Sequence, residues 1–245
     1  MAEEDAHAQH GPKPLTEEQL AKLRRLRWFV LVWRLLWSLL FLSLFAGGPH
    51  KFFVTLPGQV FSAVFFLAML VDVGSQTVEV RGKRLDRGSF FILRGATYTM
   101  YSLCILDHFV LTPRWSLLSA WVQWSWIWLA AGAALAVLGQ VLRVTAIRTL
   151  GRFFTYGVRV QQDQKVIQHG VYAAVRHPAY TGFLLTCLGY TVLFASAFGL
   201  AAWLLLVLPA LLNRIAVEEK ALIQGLGSEY REYKKRVKAL IPFLL

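Results

Sequence analysis

The hydrophobic residues of this chain are concentrated in five blocks that polar stretches separate. Each block is close to, or longer than, the roughly 20 residues that a helix needs to cross a bilayer. The fifth block, at 32 residues, is too long for one crossing and predicts two helices joined near Ala195-Ser196-Ala197. The blocks are residues 28–46, 56–73, 95–111, 118–142 and 181–212. We therefore expect an all-α polytopic membrane protein with about six transmembrane helices, the last two forming a hairpin.

Charge along the chain supports this topology. The formal net charge is +12, and with six spans 23 of the 26 Lys and Arg residues fall on one side of the membrane. The positive-inside rule makes that side cytoplasmic, together with both termini and the loop of residues 143–177. Such a surface suits anionic lipid headgroups, and since no nucleic-acid-binding motif accompanies it, we expect no nucleic acid partner.

The pattern divides the chain into three regions. Residues 1–27 have no signal-peptide pattern, and TEEQLAKLRRLRW predicts a basic amphipathic helix on the cytoplasmic side. Residues 28–142 form a transmembrane scaffold, in which the small residues of 130–140 favour close helix packing. Residues 143–245, with a loop, the hairpin and a carboxyl-terminal helix, form the candidate catalytic region, because the two polar segments described below lie there.

Four side chains in the hydrophobic blocks are interpreted as structural. Cys104 and Cys187 have no cysteine or histidine at metal-ligand spacing, so buried, inert thiols are expected, with no metal and no disulfide. Asp107 and His108 come late in their block, near its outer end, and are predicted to form a solvated pair at the membrane rim.

The segment VRHPAYTG, residues 175–182, marks the start of the hairpin. A residue before proline avoids the α conformation, and proline fits the first helical turn, so a helix is predicted to begin at Pro178 with His177 just outside it. The positive end of this helix would face the loop and suits a carboxylate or phosphate.

A second polar group follows the hairpin. Arg214 and Glu218 are four residues apart, hence on one helical face. Because both ends of the hairpin return to the same interface, these two residues are predicted to lie near His177 and Tyr180. An arginine, a carboxylate and aromatic rings at a membrane boundary suit a ligand with both an amino and a carboxyl group. A second ligand would approach this site from the lipid bilayer.

These two segments, GVYAAVRHPAYTG and RIAVEEKALIQGLGSEYREYKKRV, resemble the isoprenylcysteine carboxyl methyltransferase family, and the resemblance covers residues 151–245. It implies S-adenosylmethionine as the cofactor, held in a cytoplasmic pocket under the carboxyl-terminal tail. It also implies a lipophilic methyl acceptor that enters from the bilayer, with the carboxylate of a prenylated cysteine favoured. The host membrane would be the endoplasmic reticulum in a eukaryote or the inner membrane in a bacterium.

The resemblance also assigns roles to residues. Arg214 matches the catalytic arginine that faces the acceptor carboxylate, while Glu219 and residues 227–233 match the lid-like tail. The residues that match cofactor contacts are Gln164, Lys165, Val166, Ile167, Tyr172, His177, Pro178, Ala179, Tyr180 and Glu218. Relatives often have histidine at position 164 and proline at position 171; the glutamine present here can still supply a hydrogen bond.

Several alternatives remain open. A carboxylate acceptor is already ionised at neutral pH and needs no general base, which agrees with the lack of a Ser-His-Asp or Cys-His constellation. A phospholipid amine or a small thiol is an alternative acceptor, and an amine would need a base such as His177 or Glu218. A nicotinamide-dependent sterol or enone reductase shares an RHPxYxG-like segment, but it typically adds an aspartate- and cysteine-bearing motif that this chain lacks after Cys187. A non-catalytic membrane protein is the remaining alternative.

Overall fold

The computed structural model describes residues 28–29, 32–33, 36, 38–74, 88–111, 125–155, 157–158, 160 and 163–241. Within these residues the regular structure is helical, and the β-type pairing is an isolated bridge between Val175 and Lys238. The prediction of an all-α protein is therefore confirmed for the described part of the chain. The predicted amphipathic helix in residues 1–27 lies outside the described residues.

The described helices follow the predicted hydrophobic blocks. After a helical stretch at residues 38–44, they are α1 (Pro49–Phe53), α2 (Leu56–Gly74), α3 (Ser89–Leu106), α4 (Ser125–Leu150), α5 (Pro178–Leu193), α6 (Ala197–Ala202) and α7 (Leu208–Arg236). Two π-helical segments, Asp107–Leu111 and Trp203–Val207, extend α3 and join α6 to α7, and two 3₁₀ turns, Gly151–Phe153 and Gly170–Ala173, lie between α4 and α5.

Three helices in the described part of the chain are long and apolar enough to cross a membrane: Ser89–Leu111, Trp126–Phe153 and Ala197–Arg236. Leu56–Leu70 and Pro178–Leu193 are shorter apolar helices. The helical segment Ala197–Arg236 has 40 residues, about twice the roughly 20 that one crossing needs, so about half of it is available outside the hydrocarbon core.

Helix α4 ends at Leu150, not at residue 142 as the hydrophobic block predicted. Arginine is a good helix former, so Arg143 and Arg148 do not end the helix. Ala146 and Ile147, between these arginines, are buried and continue the packed face. The start of the predicted loop is therefore helical, and α4 continues through the predicted boundary of the catalytic region.

Helices α5 and α6 form the predicted hairpin. The chain reverses at Ala195, which adopts a positive φ of 47°. Ser196 then caps α6, because its hydroxyl accepts a hydrogen bond from the Gly199 amide at 2.8 Å. A serine cap satisfies one of the free amides at a helix start, which explains how this sequence makes a tight turn without glycine or proline.

The prediction of a solvated Asp107–His108 pair is wrong. Asp107 is only 1% exposed, and its carboxylate accepts hydrogen bonds from the Ser196 hydroxyl at 2.7 Å and the Phe198 amide at 3.4 Å. The Nδ1 atom of the half-buried His108 lies 3.0 Å from the carbonyl oxygen of Phe194. Both side chains thus join the end of α3 to the hairpin turn, a contact that the position of these residues within their block did not reveal.

Helices α4 and α5 pack with their backbones in close contact, as the small residues of 130–140 predicted. A Cβ added to Gly132 would lie 2.2 Å from the backbone nitrogen of Leu193, and one added to Gly189 would lie 2.5 Å from that of Ala136. Side chains at these glycines are therefore excluded, and α5 is held firmly against α4.

An aromatic core lies beside this helix pair. Phe61 of α2 and Tyr101 of α3 contact Tyr190 of α5, with ring centroids 4.7 and 5.3 Å from the Tyr190 ring. Cys104 and Cys187 are free thiols buried in the same core, as predicted. This core fixes α5 relative to α2 and α3, and so positions the residues at the start of α5.

Candidate active site

A cavity of about 390 Å³ lies where the loop between α4 and α5 meets the membrane helices. Its volume is within the roughly 300–1,000 Å³ typical of small-molecule sites. Polar and aromatic residues of the loop and of α7 form part of the wall, and apolar residues of α2, α3 and α5 form another part, including Phe65, Met69, Leu93 and Phe183. The cavity can therefore accept a ligand with a polar and an apolar part.

The start of α5 has the predicted form. His177 has non-helical dihedral angles and precedes Pro178, the first residue of the helix. The amides of Tyr180 and Thr181 donate hydrogen bonds to the His177 carbonyl at 2.9 and 3.0 Å. Because these amides already serve the helix, the side chains at this end are the better candidates for ligand binding.

Tyr180 joins the two charged residues of α7. The Nε atom of Arg214 donates to the Tyr180 hydroxyl at 3.1 Å, and that hydroxyl donates to Oε2 of Glu218 at 2.5 Å. Arg214 also donates through Nη1 to the Ser89 hydroxyl at 3.0 Å, and its guanidinium lies 5.7 Å from the Phe90 ring centre. The prediction that Arg214 and Glu218 lie together beside Tyr180 is thus confirmed as geometry.

The neighbouring carboxylate of Glu219 has different contacts. Consecutive helical residues are about 100° apart around the axis. Glu218 therefore faces the cavity, while Glu219 faces the carboxyl-terminal tail, residues 228–241. One Glu219 oxygen accepts from Arg176 Nη2 at 2.7 Å and lies 3.2 Å from His177 Nε2; the other lies 2.6 Å from Lys234 Nζ. Glu219 and Arg176 are almost fully buried, whereas the Lys234 side chain is 44% exposed.

The carboxyl-terminal tail packs against the segment before α5. Gly227 breaks the helical geometry of α7 with φ 62° and ψ −129°, a conformation that favours glycine. Beyond this kink, the Tyr233 hydroxyl donates to the carbonyl of Tyr172 at 2.6 Å, and the Arg176 amide donates to the carbonyl of Lys238 at 2.8 Å. The predicted lid-like segment, residues 227–233, supplies Tyr230 and Tyr233 to the cavity wall.

Every predicted site residue except Pro178 lines the cavity. The residues found there are Gln164, Lys165, Val166, Ile167, Tyr172, His177, Ala179, Tyr180, Arg214 and Glu218. Pro178 is buried away from the cavity and serves the helix start.

The cavity wall also contains polar residues that sequence reasoning missed. Arg176 lies within the first quoted segment, which was a usable signal. Arg94, Gln140 and Arg143 also line the cavity, but they lie in helices without a motif, so only the packing of α3 and α4 reveals them.

Tyr172 provides a neutral aromatic wall. Burial, together with the nearby Glu218 carboxylate, raises the pKa of the Tyr172 phenol above its usual value. The hydroxyl therefore stays protonated at neutral pH, and it donates to the carbonyl of Ala146 at 3.4 Å. This bond ties the 3₁₀ turn before α5 to helix α4.

Comparison with known proteins identifies the family. A model of the isoprenylcysteine carboxyl methyltransferase (ICMT) family matches residues 132–224. A probable protein-S-isoprenylcysteine O-methyltransferase of Oryza sativa subsp. indica is 32% identical over 186 residues, which cover 74% of this chain and 95% of the relative. The chain belongs to the isoprenylcysteine carboxyl methyltransferase family. It is a membrane methyltransferase, as the two quoted segments predicted.

Two further similarities concern a second plant relative and a solved structure. Protein-S-isoprenylcysteine O-methyltransferase B of Arabidopsis thaliana is 36% identical over 115 residues, 46% of this chain and 58% of the relative. The structure of a eukaryotic intramembrane Ras methyltransferase ICMT has a TM-score of 0.44 and 24% identity, covering 88% of this chain and 85% of that one. The ICMT family model begins at residue 132, so the cavity residues contributed by α2 and α3 lie outside its match.

Proposed function

We propose that this ICMT-family enzyme transfers a methyl group from S-adenosylmethionine to the carboxylate of a carboxyl-terminal prenylcysteine. The observation that most supports this proposal is that Arg214 and Glu218 both hydrogen-bond the Tyr180 hydroxyl, in a cavity with polar and apolar walls. One cation and one anion there suit an acceptor carboxylate and a cofactor ammonium group side by side. The named relatives act on isoprenylcysteine, which supports the choice of acceptor.

The residues of the cavity fit the proposed cofactor. Bound S-adenosylmethionine supplies an electrophilic methyl group on a sulfonium centre. Glu218 would bind its ammonium group, and Gln164 and Tyr172 would flank the adenosyl part. Tyr230 lines the cavity with a buried hydroxyl that has no hydrogen-bond partner among the described residues, and a polar ligand would satisfy it.

The acceptor side needs orientation more than proton transfer. An α-carboxyl group has a pKa of about 3.5 and is ionised at neutral pH, so Arg214 can bind and orient it without a base. His177 is already in contact with Glu219, and Glu218 accepts the Tyr180 hydroxyl. Neither group is poised as the base that an amine acceptor would need, which favours a carboxylate acceptor.

An open groove on the outer surface of the helices lies next to the cavity and shares two lining residues with it. Its volume is about 430 Å³, and its lining residues are Ser38, Phe41, Phe91, Arg94, Gly95 and Tyr98. Arg94 and Tyr98 line both the groove and the main cavity, and Phe91 is 69% exposed. We infer that the lipid chain of the acceptor enters by this groove, because an apolar opening in a membrane helix surface faces lipid.

The proposed topology has six crossings, with the loop between α4 and α5 and the tail in the cytoplasm. The crossings are residues 28–46, α2, α3, α4, α5 and the continuous α6–α7 helix. The basic residues support this orientation, because the large majority lie in the amino-terminal segment, the two polar loops and the tail.

Calorimetric titration of S-adenosylmethionine and, separately, NADPH into detergent-purified protein tests the proposal. We expect S-adenosylmethionine to bind and NADPH not to bind. In a second assay, the enzyme should transfer a radiolabelled methyl group from S-adenosylmethionine to a farnesylated cysteine analogue. Arg214→Ala should abolish turnover and leave cofactor affinity unchanged, whereas Glu218→Ala should weaken the cofactor about tenfold through loss of one ionic hydrogen bond. Binding of NADPH alone, or methylation of amines in preference to carboxylates, would refute the proposal.

A further inference from the structure

Ser89, the first residue of α3, is in direct contact with the arginine that the proposed function assigns to the acceptor. Its hydroxyl is 3.0 Å from Arg214 Nη1, although the two residues are 125 positions apart in the chain. Ser89 is 1% exposed and does not line the cavity, so the contact that links it to the site is the one with Arg214. It lies behind Arg214, outside the residues that the ICMT family model matches.

The contacts of Arg214 fix its guanidinium from two flanks. Nη1 donates to Ser89 on α3, and Nε donates to Tyr180 on α5. The Phe90 ring, one residue after Ser89, lies 5.7 Å from the guanidinium carbon. A guanidinium is rigid and planar, so two bonds on different nitrogens determine the direction of the whole group. Ser89 provides the hydrogen bond that fixes Nη1 from the α3 side, so its loss removes one of the contacts that orient the guanidinium.

We propose that Ser89 is a positioning residue for the acceptor, acting through Arg214; this inference rests on the proposed function. A carboxylate binds best to an arginine whose plane is already oriented, because bidentate contacts demand a fixed geometry. Ser89 thus adds a contribution from the amino-terminal half of the chain to a site whose recognisable segments all lie in the carboxyl-terminal half. Its effect falls on the acceptor, since Glu218 and the loop residues hold the cofactor.

The test compares Ser89→Ala with Ser43→Ala in the purified full-length enzyme. Ser43 is a matched control, because it is 0% exposed and its hydroxyl donates to the carbonyl of Leu40 in its own helix, away from the cavity. Ser89→Ala should raise the KM for a farnesylated cysteine analogue about tenfold, the loss expected for a hydrogen bond to a charged group. The Kd for S-adenosylmethionine should stay unchanged, and Ser43→Ala should change neither constant.

A double-mutant cycle separates positioning from a general structural effect. The Kd of the farnesylated analogue is measured with S-adenosylhomocysteine present, for Ser89→Ala, Arg214→Ala and the double variant. If Ser89 acts through Arg214, Ser89→Ala weakens binding in the parent enzyme and adds nothing once Arg214 is alanine. Equal losses in both backgrounds, or a Ser89→Ala enzyme that behaves like Ser43→Ala, would overturn the inference.

A replacement variant and an assay of the parent enzyme cover the cases in which Ser89→Ala does not fold or the proposed function is wrong. If Ser89→Ala does not fold, Ser89→Cys is used, because its thiol has nearly the same shape and is a weaker acceptor. We expect the acceptor KM to rise in this variant too, and an unchanged KM would overturn the inference. The parent enzyme is assayed first: failure to methylate the prenylcysteine analogue refutes the proposed function, whereas an active parent with an unaffected Ser89→Ala variant refutes only the role of Ser89.

Discussion

Substitution of Glu219 by glutamine should release the carboxyl-terminal tail from the cavity wall. Glu219 is the anion at the centre of the contacts between α7, the residues before α5 and the tail. One of its oxygens accepts from Arg176 at 2.7 Å, and the other lies 2.6 Å from Lys234 Nζ. Arg176 also donates to the backbone carbonyl of Val237. Loss of the carboxylate therefore weakens the anchoring of the tail at several points.

Burial sets the size of the expected effect. The side chains of Arg176 and Glu219 are only 8% and 7% exposed, and removing one partner of a buried ion pair costs about 3–5 kcal/mol. The contact with Lys234 contributes at most about 1 kcal/mol, because this lysine is 44% exposed. An amide keeps some hydrogen bonding, so we expect a loss of about 3 kcal/mol in tail docking.

Glu232→Gln is the matched control, because Glu232 lies on the same helix and also contacts a lysine at 2.7 Å. That pair, with Lys235, is more than 60% exposed on both side chains, and exposed pairs contribute little. Hydrogen exchange of residues 228–241 measures the opening of the tail directly. A loss of about 3 kcal/mol corresponds to an opening equilibrium about 100-fold larger, and to faster exchange by the same factor.

Cofactor titration provides a second measurement on the same variants. Tyr230 and Tyr233 of the tail line the cavity, so Glu219→Gln should also weaken S-adenosylmethionine, while Glu232→Gln should not. If both variants exchange and bind alike, burial of the Glu219 contacts does not hold the tail, and the reasoning is refuted.

Two further predictions concern glycines. Gly189→Ala should destabilise the protein by about 1–3 kcal/mol, because the new Cβ would lie 2.5 Å from the α4 backbone. Gly95→Ala is the control and should be neutral or stabilising, because the space around Gly95 is open. Thermal unfolding in detergent compares the two variants, and equal unfolding midpoints would contradict the close packing of α4 and α5. Gly95→Trp should fill the groove and lower kcat/KM for a farnesylated acceptor without changing cofactor affinity, while Ile92→Trp, on the exposed surface of the same helix, should have no effect. Equal turnover of these two tryptophan variants would exclude the groove as the acceptor route.

Much of the site could be predicted from the sequence because its residues lie in two short segments. Proline after His177 determines where α5 begins, and four-residue spacing places Arg214 and Glu218 on one face. The length of the last hydrophobic block requires a hairpin, which brings these segments to one end of the helices. Local rules suffice wherever the chemistry depends on neighbours in the sequence.

Tertiary packing decided what those rules could not reach. The sequence places Glu218 and Glu219 side by side, but only the packing of the tail shows that Glu219 is buried against Arg176. Asp107 looked solvated because its position within the block carries no information about the hairpin turn that covers it.

Ser89 is the clearest case. It follows a polar loop, and nothing in its surroundings in the sequence connects it with Arg214, 125 residues away. Hydrophobic pattern determines which segments become helices, since burial from water depends on each segment's own composition. Which helices become neighbours depends on side-chain shapes across the whole molecule, such as the glycines that let α4 and α5 touch, and so only the folded structure could bring Ser89 to this arginine.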